Sequence, residues 1–406
     1  MSATSAAPST PSSKMTPQER SASASLALIF ALRMLGLFLV LPVFALEAAR
    51  YPGGDDPALV GLAIGIYGLT QAVFQLPLGL ASDRWGRKRV IVAGLLVFAA
   101  GSLLAAMADS VTGLLAGRAL QGAGAVSAAV TALLADLTRG SVRTEAMAMV
   151  GGSIGLTFAL ALVLSPLLAA WGGLPGIFGL TCALALAGIC AVLWVVPAEP
   201  TQHADAPRAH FSELLRHGDL LRLNLGVFVL HTVQMAMWVA VPAMLVQAGL
   251  AKAAHWQVYL PAVLLSFLAM GLLFSMERKG RLRAALLGAI ALVLVVQIGL
   301  GLLAASGTIP TVWCMALLML VFFCGFNTLE ASQPSMVSRM APAPLRGTAL
   351  GAYNTLQSLG LFAGGALGGA LAKWAGAPML FAATALLCVL WLVVSWPLRP
   401  VGRTGR

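Results

Sequence analysis

Charged side chains are scarce in this sequence. Of its 406 residues only 10% are Asp, Glu, Lys or Arg, whereas 59% are hydrophobic and the mean hydropathy is +0.91. So few charges cannot cover the surface of a water-soluble protein of this length, which excludes a soluble enzyme or a soluble binding protein. Most side chains must therefore face other apolar side chains or the hydrocarbon of a membrane.

Cysteine is also rare, and its five residues do not pair in any recognisable spacing. All five lie inside apolar stretches and are small hydrophobic side chains on this interpretation: Cys182, Cys190, Cys314, Cys324 and Cys388. We therefore expect no disulfide and no metal site. The sequence GAG at 122–124 lies within a predicted apolar helix and follows no strand, so it is not a phosphate-binding loop and no cofactor is expected.

The charge that is present is mostly positive. The 25 Lys and Arg residues outnumber the 14 Asp and Glu residues, and the formal net charge is +11. These cations occur in short clusters between apolar stretches and form no basic domain, so we expect no nucleic-acid partner. The lipid bilayer is the expected partner.

Twelve apolar stretches are long enough to cross a bilayer, which takes about 20 residues each. The sequence therefore predicts an all-α polytopic membrane protein with 12 transmembrane helices in two six-helix halves. The predicted spans lie near residues 24–46, 57–81, 90–108, 111–135, 145–170, 175–196, 221–247, 256–275, 283–304, 310–336, 347–372 and 376–396.

The spans define the predicted domain boundaries. The N-terminal half covers 24–196 and the C-terminal half covers 221–396. A polar cytoplasmic linker, 197–220, joins them, and its later part has the pattern of an interfacial amphipathic helix. Residues 1–23 are rich in Ser, Ala, Thr and Pro, which predicts a disordered cytoplasmic tail, and 397–406 form a second tail.

Lys and Arg are distributed very unequally between alternate loops. Two of the 25 lie within spans, 20 lie on the side of the chain termini, and three lie on the other side, namely Arg50, Lys252 and Lys373. Because loops rich in Lys and Arg stay in the cytoplasm, both termini are predicted to be cytoplasmic.

An internal repeat relates the two halves. The loop after span 2 reads DRWGRKR (83–89), and the loop after span 8 reads ERKGRLR (277–283). The two loops share an acid, Arg, Gly, Arg and Arg at the same spacing. This match predicts two halves related by duplication and pseudo-symmetry.

Four ionisable residues lie deep inside spans: Arg33, Arg118, His231 and Glu330 on spans 1, 4, 7 and 10. Charge inside a membrane is costly unless it is paired or hydrated, so such residues predict a central polar cavity. Glu330 is the predicted proton carrier, with His231 as its alternative or partner, because burial moves the pKa of either group towards physiological pH. The competing interpretation is that Arg33 and Arg118 only brace helices and that His231 is a structural histidine.

Further polar residues within the spans are predicted to line that cavity: Tyr67, Gln71, Gln121, Gln234, Asn327, Tyr353, Asn354 and Gln357. Met235, Met237 and Trp238 are predicted to add soft apolar surface for a loosely shaped ligand. Ordinary contacts between helices are the competing interpretation for many of these residues.

Several motifs resemble those of a known family. GLASDRWGRKR (79–89) resembles the loop 2–3 signature of the major facilitator superfamily, and RALQGAG (118–124) resembles its span 4 arginine motif. RMLGLFLVLPVF (33–44) is similar to the span 1 motif of its drug:proton antiporter branch. HWQVYLP (255–261) and LEASQPSMVSRMAP (329–342) are similar to YajR-type transporters of that branch. The resemblance covers nearly the whole chain and implies the major facilitator fold.

Two departures from the family pattern stand out. The span 5 antiporter motif usually has Gly before its Pro, and LVLSP (162–166) has Ser165 instead. YajR-type transporters also have a C-terminal soluble domain. The chain stops at Arg406, so we expect no such domain here.

The resemblance implies a gate at the loop after span 2. Gly79 is predicted to allow another helix to approach, Gly86 to belong to the gate, and Arg87 to pair with Asp136. Asp83 is predicted to lie against the start of span 11, near Gly347 and Thr348. Glycines of span 2 (Gly61, Gly65) and span 11 (Gly360, Gly364, Gly368) are predicted to pack the two halves together.

The predicted function is secondary active transport by alternating access, as a monomer in the bacterial inner membrane. Proton-coupled efflux of a small, partly hydrophobic substrate is favoured, and uptake or facilitated diffusion is the alternative. A polytopic membrane enzyme is a remote alternative, because the acids Asp55 and Asp56 have no second acidic cluster to form a metal centre with.

Overall fold

The computed structural model describes residues 15–139, 142–199, 216–342 and 345–398, and these residues form helices and no strands. The helices are α1 Pro17–Phe38, α2 Phe44–Ala48, α3 Pro57–Trp85, α4 Arg87–Ala106, α5 Val111–Ala123, α6 Ser127–Asp136, α7 Arg143–Trp194, α8 Gly218–Gln247, α9 Trp256–Arg278, α10 Leu282–Ser306, α11 Val312–Met340 and α12 Arg346–Ser395, with a 3-10 turn at Lys252–Ala254.

The predicted twelve spans agree with these helices. Within the described ranges, nine helices are long and apolar enough to cross a membrane. Two of them, α7 and α12, contain two spans each, because Gly173 (φ 60°) and Gly376 (φ 76°) interrupt the helix at a backbone conformation that glycine adopts easily. With α5 and α6 counted together as one span, this gives eleven spans, and α9 (Trp256–Arg278), which is not among those nine, corresponds to the remaining predicted span. Each glycine is followed two residues later by a proline, Pro175 or Pro378, so the two halves turn in the same way.

The first helix begins earlier than the sequence predicts. Thr16 caps α1, because its hydroxyl accepts a hydrogen bond from the Glu19 amide (3.2 Å) while the Glu19 carboxylate accepts one from the Thr16 amide (2.8 Å). The predicted disordered tail is therefore wrong for residues 17–23. The rest of that tail to residue 14, most of the linker (200–215) and residues 399–406 lie outside the described residues.

Two spans are broken rather than continuous. Span 1 consists of α1 and the short α2, with Pro42 in the turn between them. Span 4 breaks after Ala123, so the prediction that GAG lies in mid-helix is wrong. A side chain on Gly122 would come within 2.2 Å of the Tyr67 carbonyl oxygen, and one on Gly124 within 2.4 Å of the Gly94 carbonyl oxygen. This close backbone packing against α3 and α4 accompanies the break.

The two halves have the same internal packing. In the N-terminal half α1 packs on α7, and α4 packs on both α5 and α7. In the C-terminal half α8 packs on α12, and α10 packs on both α11 and α12. The repeated loops also match, because Gly86 (φ 97°) and Gly280 (φ 72°) both adopt a positive φ. The predicted duplication is therefore visible in the structure.

We call the end with the turns at Gly86 and Gly280 the basic end, and the end with the turns at Gly173 and Gly376 the far end. Tryptophans mark both ends of the bundle with side chains that are 62–89% exposed: Trp85, Trp194 and Trp396 at the basic end, and Trp171, Trp313 and Trp374 at the far end. Tryptophan prefers the interface between lipid and water, so the two belts mark the borders of the membrane.

Candidate functional site

Arg33 on α1 lies at the centre of a polar cluster in the N-terminal half. Its guanidinium donates to the Tyr67 hydroxyl (2.6 Å), the Gln71 carbonyl oxygen (3.1 Å) and the Ser127 hydroxyl (3.1 Å). The group is buried and lies over the Phe98 ring, 5.6 Å from its centroid. Uncharged oxygens and a ring face thus surround this cation, since no carboxylate within the described residues pairs with it.

Arg118 on α5 forms a second polar centre beside the first. It donates to the Gln121 side chain (3.1 Å) and to the Ile64 carbonyl oxygen (3.2 Å), and it lies 5.0 Å from the centroid of the Tyr67 ring. Gln121 in turn donates to the Ser102 hydroxyl (2.8 Å). Tyr67 therefore contacts both arginines, so the structure brings the predicted residues of spans 1, 2 and 4 together.

The C-terminal half has its own cluster, formed by His231, Glu330 and Gln357. The His231 Nδ1 atom is 2.9 Å from the Val227 carbonyl oxygen. A carbonyl oxygen only accepts, so Nδ1 carries the hydrogen and the Nε2 of a neutral ring is an acceptor. Accordingly the Gln357 amide donates to Nε2 (2.8 Å) and to Glu330 Oε1 (3.2 Å).

The remaining contact in this cluster is not a conventional hydrogen bond. Glu330 Oε2 lies 3.5 Å from His231 Nε2 and has no hydrogen-bond partner among the described residues. The atom is buried although the Glu330 side chain as a whole is 38% exposed. Two acceptor atoms face each other when both groups are unprotonated. The predicted partnership of Glu330 and His231 is thus present as a contact.

One hydrogen bond links the clusters of the two halves. Gln71 accepts from Arg33 with its oxygen and donates with its nitrogen to the Ser358 hydroxyl (2.9 Å). Ser358 follows Gln357 directly on α12, so this bond joins the Arg33 cluster to the neighbourhood of His231 and Glu330.

An aromatic row crosses between the halves on the far-end side of the polar clusters. Phe38 packs on Phe158 (5.1 Å between centroids), and Phe158 packs on Phe323 of the other half (6.0 Å). Phe322 and Phe326 continue the row to the His231 ring, which is 5.9 Å from Phe326. A row of phenylalanine rings from both halves therefore packs beside the His231 cluster.

The other predicted cavity residues have mixed positions. Asn327 donates to the Ser266 hydroxyl (2.6 Å), and Asn354 is half-buried on α12. Gln234 and Tyr353 are buried, and the Tyr353 hydroxyl has no partner in the described part of the chain. The apolar set (Met235, Met237, Trp238) was predicted to form a ligand surface and is instead core in this structure, with Trp238 packed on Tyr259 at 5.3 Å.

At the basic end Arg87 makes the predicted contact with Asp136, at 3.1 Å. Its guanidinium also pairs with Asp83 and donates to the Ser82 hydroxyl (2.8 Å). We call these four residues the Arg87 cluster. All four belong to the N-terminal half.

Two predictions about the loop after span 2 are wrong for this structure. Asp83 is paired with Arg87 and does not lie against span 11, where a side-chain carbon on Gly347 would have no described residue within 4 Å. Gly79 does not permit an unusually close approach, because a side-chain carbon there would lie 3.5 Å from Ala128, an ordinary contact. Its helix also continues to Trp85.

Backbone contacts join α3 and α12 towards the far end. A side-chain carbon on Gly61 would come within 2.3 Å of the Gly365 carbonyl oxygen, and one on Gly65 within 2.7 Å of the Phe362 carbonyl oxygen. Spans 2 and 11 therefore pack as predicted, but through Gly365 and Gly369. The predicted partners on span 11 face α8 instead: Gly360, Gly364 and Gly368.

Two ion pairs at the far end also join the halves. Lys373 pairs with Asp56 (2.7 Å), and Lys252 pairs with Glu47 (3.4 Å). The third cation at this end, Arg50, pairs with Glu47 within its own half (3.0 Å). Sequence reasoning missed these pairs, although three isolated cations on the otherwise cation-poor side were a signal to look for partners.

A cavity of about 250 Å³ lies beside the Lys252 pair, between α2, α7 and the turn before α9. Its lining includes Glu47, Arg50, Lys252 and His255. Burial lowers the pKa of His255, and the nearby Lys252 lowers it further. The lowered pKa favours the neutral ring, whose Nε2 atom lies 3.3 Å from the Leu250 carbonyl oxygen.

Ser165, the residue that departs from the span 5 motif, makes a buried hydrogen bond to span 1. Its hydroxyl donates to the Leu39 carbonyl oxygen at 2.5 Å, where α1 ends. A glycine at this position has no side chain to satisfy that carbonyl. The substitution therefore strengthens the contact between spans 1 and 5.

Between the polar centre and the basic end the halves are apart. The contacts between halves named above extend from Gln71 and Ser358 to the far end, whereas side-chain positions on Gly347 and Gly351 at the start of α12 have no described neighbour within 4 Å. On α3 the side chains of Val73, Leu76 and Leu80 are more than half exposed. A two-half helical bundle that is closed at one end and has polar groups at mid-depth has the architecture of a transporter.

Comparison with known proteins identifies the family. The family model of the Major Facilitator Superfamily matches residues 26–365 and 276–406. The inner membrane transport protein YajR of Escherichia coli is 44% identical over 94% of this chain and 84% of its own length. The multidrug resistance protein MdtH of Aeromonas salmonicida is 27% identical over 87% of this chain and 88% of its own. The chain therefore belongs to the major facilitator superfamily and is a multi-pass membrane transporter.

Solved structures agree with this fold. A bacterial homologue of the human lysosomal transporter Spinster, in an inward-facing and unoccupied conformation, has a TM-score of 0.72 at 14% sequence identity. The match covers 95% of this chain and 98% of that one.

Proposed function

We propose that this protein is a proton-coupled antiporter that exports a small, partly hydrophobic molecule from the cytoplasm by alternating access. The excess of Lys and Arg assigns the basic end to the cytoplasm. With that orientation, the arrangement described above is the inward-facing state, and the far end is the closed outer side.

The contact between Glu330 and His231 is the observation that carries the proposal. Oε2 and Nε2 are 3.5 Å apart and both are acceptors when unprotonated. One added proton, on either group, would form a hydrogen bond between Glu330 and His231 in place of the one that Nε2 accepts from Gln357, because that nitrogen has a single lone pair. The pair thus has a place for one proton at mid-membrane depth, which is what coupling to a proton gradient requires.

The surroundings of the pair support exchange of that proton with the open side. The Glu330 side chain is 38% exposed, whereas that of His231 is 5% exposed, so water reaches the carboxylate before the imidazole. Gln357 binds both groups and lies next to Ser358, which contacts Gln71 of the other half. A change in protonation therefore acts on a residue adjacent to the interface between halves.

A partly hydrophobic substrate is supported by the aromatic row beside the polar centre. Phe158 and Phe323 are buried against each other in this arrangement, and they come from different halves, so opening of the far end would separate the two rings and expose their apolar surfaces between the halves. The name of the MdtH relative, a multidrug resistance protein, agrees with a substrate of this kind.

Transport in everted vesicles tests the proposal. A ligand is first identified by thermal-shift screening of the purified protein, and its flux is then measured with and without a proton gradient that is acidic inside. We expect gradient-driven accumulation by the wild type, and loss of that accumulation in Glu330→Gln with substrate exchange retained. Glu145→Gln is the matched control, since this acid is exposed at the basic end.

The other outcomes are equally informative. Flux that ignores the gradient indicates facilitated diffusion, and accumulation only in right-side-out vesicles indicates uptake. Gradient-driven accumulation by Glu330→Gln contradicts the assigned role of Glu330.

A further inference from the structure

The segment that leaves the sixth span is bound to the loop after span 2. The Glu199 carboxylate accepts hydrogen bonds from the backbone amides of Arg87 (2.7 Å) and Lys88 (3.4 Å), which are the first two residues of α4. The Lys88 ammonium donates back to the Val196 carbonyl oxygen (2.6 Å). Glu199 thus caps α4 from 111 or more positions away, in place of a local capping side chain.

Gly86 fits this arrangement for two separate reasons. Its φ of 97° favours glycine, and a side-chain carbon at this position would lie 2.7 Å from Glu199 Oε1. The space that glycine leaves is therefore occupied by the carboxylate.

The equivalent loop of the C-terminal half lacks this feature in the part of the chain that the structure describes. Gly280 has a similar φ of 72°, but nothing lies within 4 Å of its side-chain position. Arg283 donates to the Trp396 carbonyl oxygen at the end of span 12, much as Lys88 does to Val196. The duplication thus retains the contact with the last span, and the carboxylate cap distinguishes the N-terminal half.

Glu199 lies between the two halves in the sequence and against the start of α4 in space. It lies near the start of the predicted linker (197–220), and residues 200–217 connect it to α8, the first helix of the C-terminal half. Its carboxylate binds the backbone amide of Arg87, whose guanidinium pairs with Asp83 and Asp136. The covalent connection between the halves is therefore attached to the Arg87 cluster.

We propose that Glu199 is a positioning residue of the Arg87 cluster: it anchors the linker and fixes the start of α4, so that the loop can dock on the other half when the basic end closes. This inference rests on the proposed alternating-access function. Its direct consequences can be measured without any substrate.

Hydrogen exchange and spin-label distances test it in the full-length protein. A capping side chain replaced by alanine weakens the local structure about fivefold, so we expect exchange at the amides of Arg87 and Lys88 to be about fivefold faster in Glu199→Ala. With labels at the exposed positions 131 and 346, in a background without cysteine, the population with a closed basic end should fall severalfold. Glu145→Gln should change neither measurement.

Two glycine substitutions provide a matched comparison. Gly86→Ala and Gly280→Ala both place alanine at a positive φ, but only the first brings a carbon against Glu199. We expect Gly86→Ala to reduce the closed population more, and Glu199→Ala to remove that difference while leaving the effect of Gly280→Ala unchanged.

Three results would overturn the inference. Unchanged amide exchange in Glu199→Ala means that the carboxylate does not cap α4. Faster exchange with unchanged distances means that the cap is only a local structural feature. If Gly86→Ala and Gly280→Ala reduce the closed population equally, the Glu199 carboxylate does not occupy the space beside Gly86. Failure of proton-driven transport by the wild type would contradict the proposed function but leaves these three measurements interpretable.

Discussion

The two ends of the molecule differ in how their charges are paired. At the far end two ion pairs, Asp56 with Lys373 and Glu47 with Lys252, join one half to the other. At the basic end the Arg87 cluster lies within the N-terminal half, and so does the pair of Arg139 with Glu19. The halves can therefore separate at the basic end without breaking any of the ion pairs named here, whereas opening the far end breaks two.

This difference indicates that most of the free energy needed to open and close the molecule is spent on the contacts of the far end. The glycine contacts of α3 and α12 add close backbone packing to the ion pairs of the far end. Exposed ion pairs contribute little individually, about 0 to 1 kcal/mol, so the glycine packing should outweigh them. A bulky side chain at one of these glycines should therefore disturb closure of the far end more than the loss of an ion pair does.

Gly61→Leu should have the largest effect. A side-chain carbon there meets the Gly365 carbonyl oxygen at 2.3 Å, which is backbone and cannot move aside easily. Overpacking of this kind costs about 1–3 kcal/mol or more, so the far end should no longer close and transport should be lost. Spin-label distances across the far end measure the opening directly.

Gly176→Leu is the control for that substitution. Gly176 lies in the far-end part of α7, and no described residue comes within 4 Å of its side-chain position. It should retain wild-type distances and transport. A normal far end in Gly61→Leu would show that the glycine packing does not determine closure.

Asp83→Asn should have a large effect on transport and little effect on stability. The Asp83 side chain is 53% exposed and pairs with Arg87 in this arrangement, so its removal should hardly change thermal stability. If the same carboxylate docks on span 11 when the basic end closes, the transport rate should fall on the order of tenfold. Normal transport by Asp83→Asn, with normal membrane insertion, would leave the loop a role in topology alone.

The sequence predicted the elements whose signal is local or repeated. Apolar length predicted the spans, the matched loops predicted the duplication, and the cost of charge in a membrane singled out Arg33, Arg118, His231 and Glu330. The pair of Asp56 with Lys373 was not predictable, because 317 positions separate the two residues and no periodicity connects them. The contact of Arg87 with Asp136 was predicted because both residues lie on the same side of the membrane and in the same half, whereas Glu199 lies in none of the motifs named above.

The remaining unpredicted features depend on conformation. Asp83 was predicted to lie against the start of span 11, and we propose that this contact forms when the basic end closes. The structure has this end open, so Asp83 turns to Arg87 instead. Sequence patterns alone do not specify which of two such arrangements a transporter adopts.

Lys252→Gln and Lys373→Gln should have small effects on the conformational equilibrium, and these effects should be confined to the far end. Each substitution removes one ion pair between the halves, and each should raise the population with an open far end by up to about fivefold. High salt should reproduce this effect in the wild type. Arg50→Gln is the matched control, because Arg50 pairs with Glu47 inside one half and should not alter the population.

Acidification should have the smallest effect on the far end. The hydrogen bond from Lys373 holds the pKa of Asp56 below its ordinary value of 3.8, so this carboxylate stays ionised in the closed arrangement. A lowered pKa gives stabilisation that is complete above the ordinary value and is lost only as the pH falls through the lowered one. Between about pH 8 and pH 5 the far-end distances should therefore stay constant as far as this pair determines them, and Lys373→Gln should show the same flat profile at a larger open population. A profile in which acid opens the far end within that range, and in which Lys373→Gln abolishes the response, would show that the pair titrates and that the outer side senses pH.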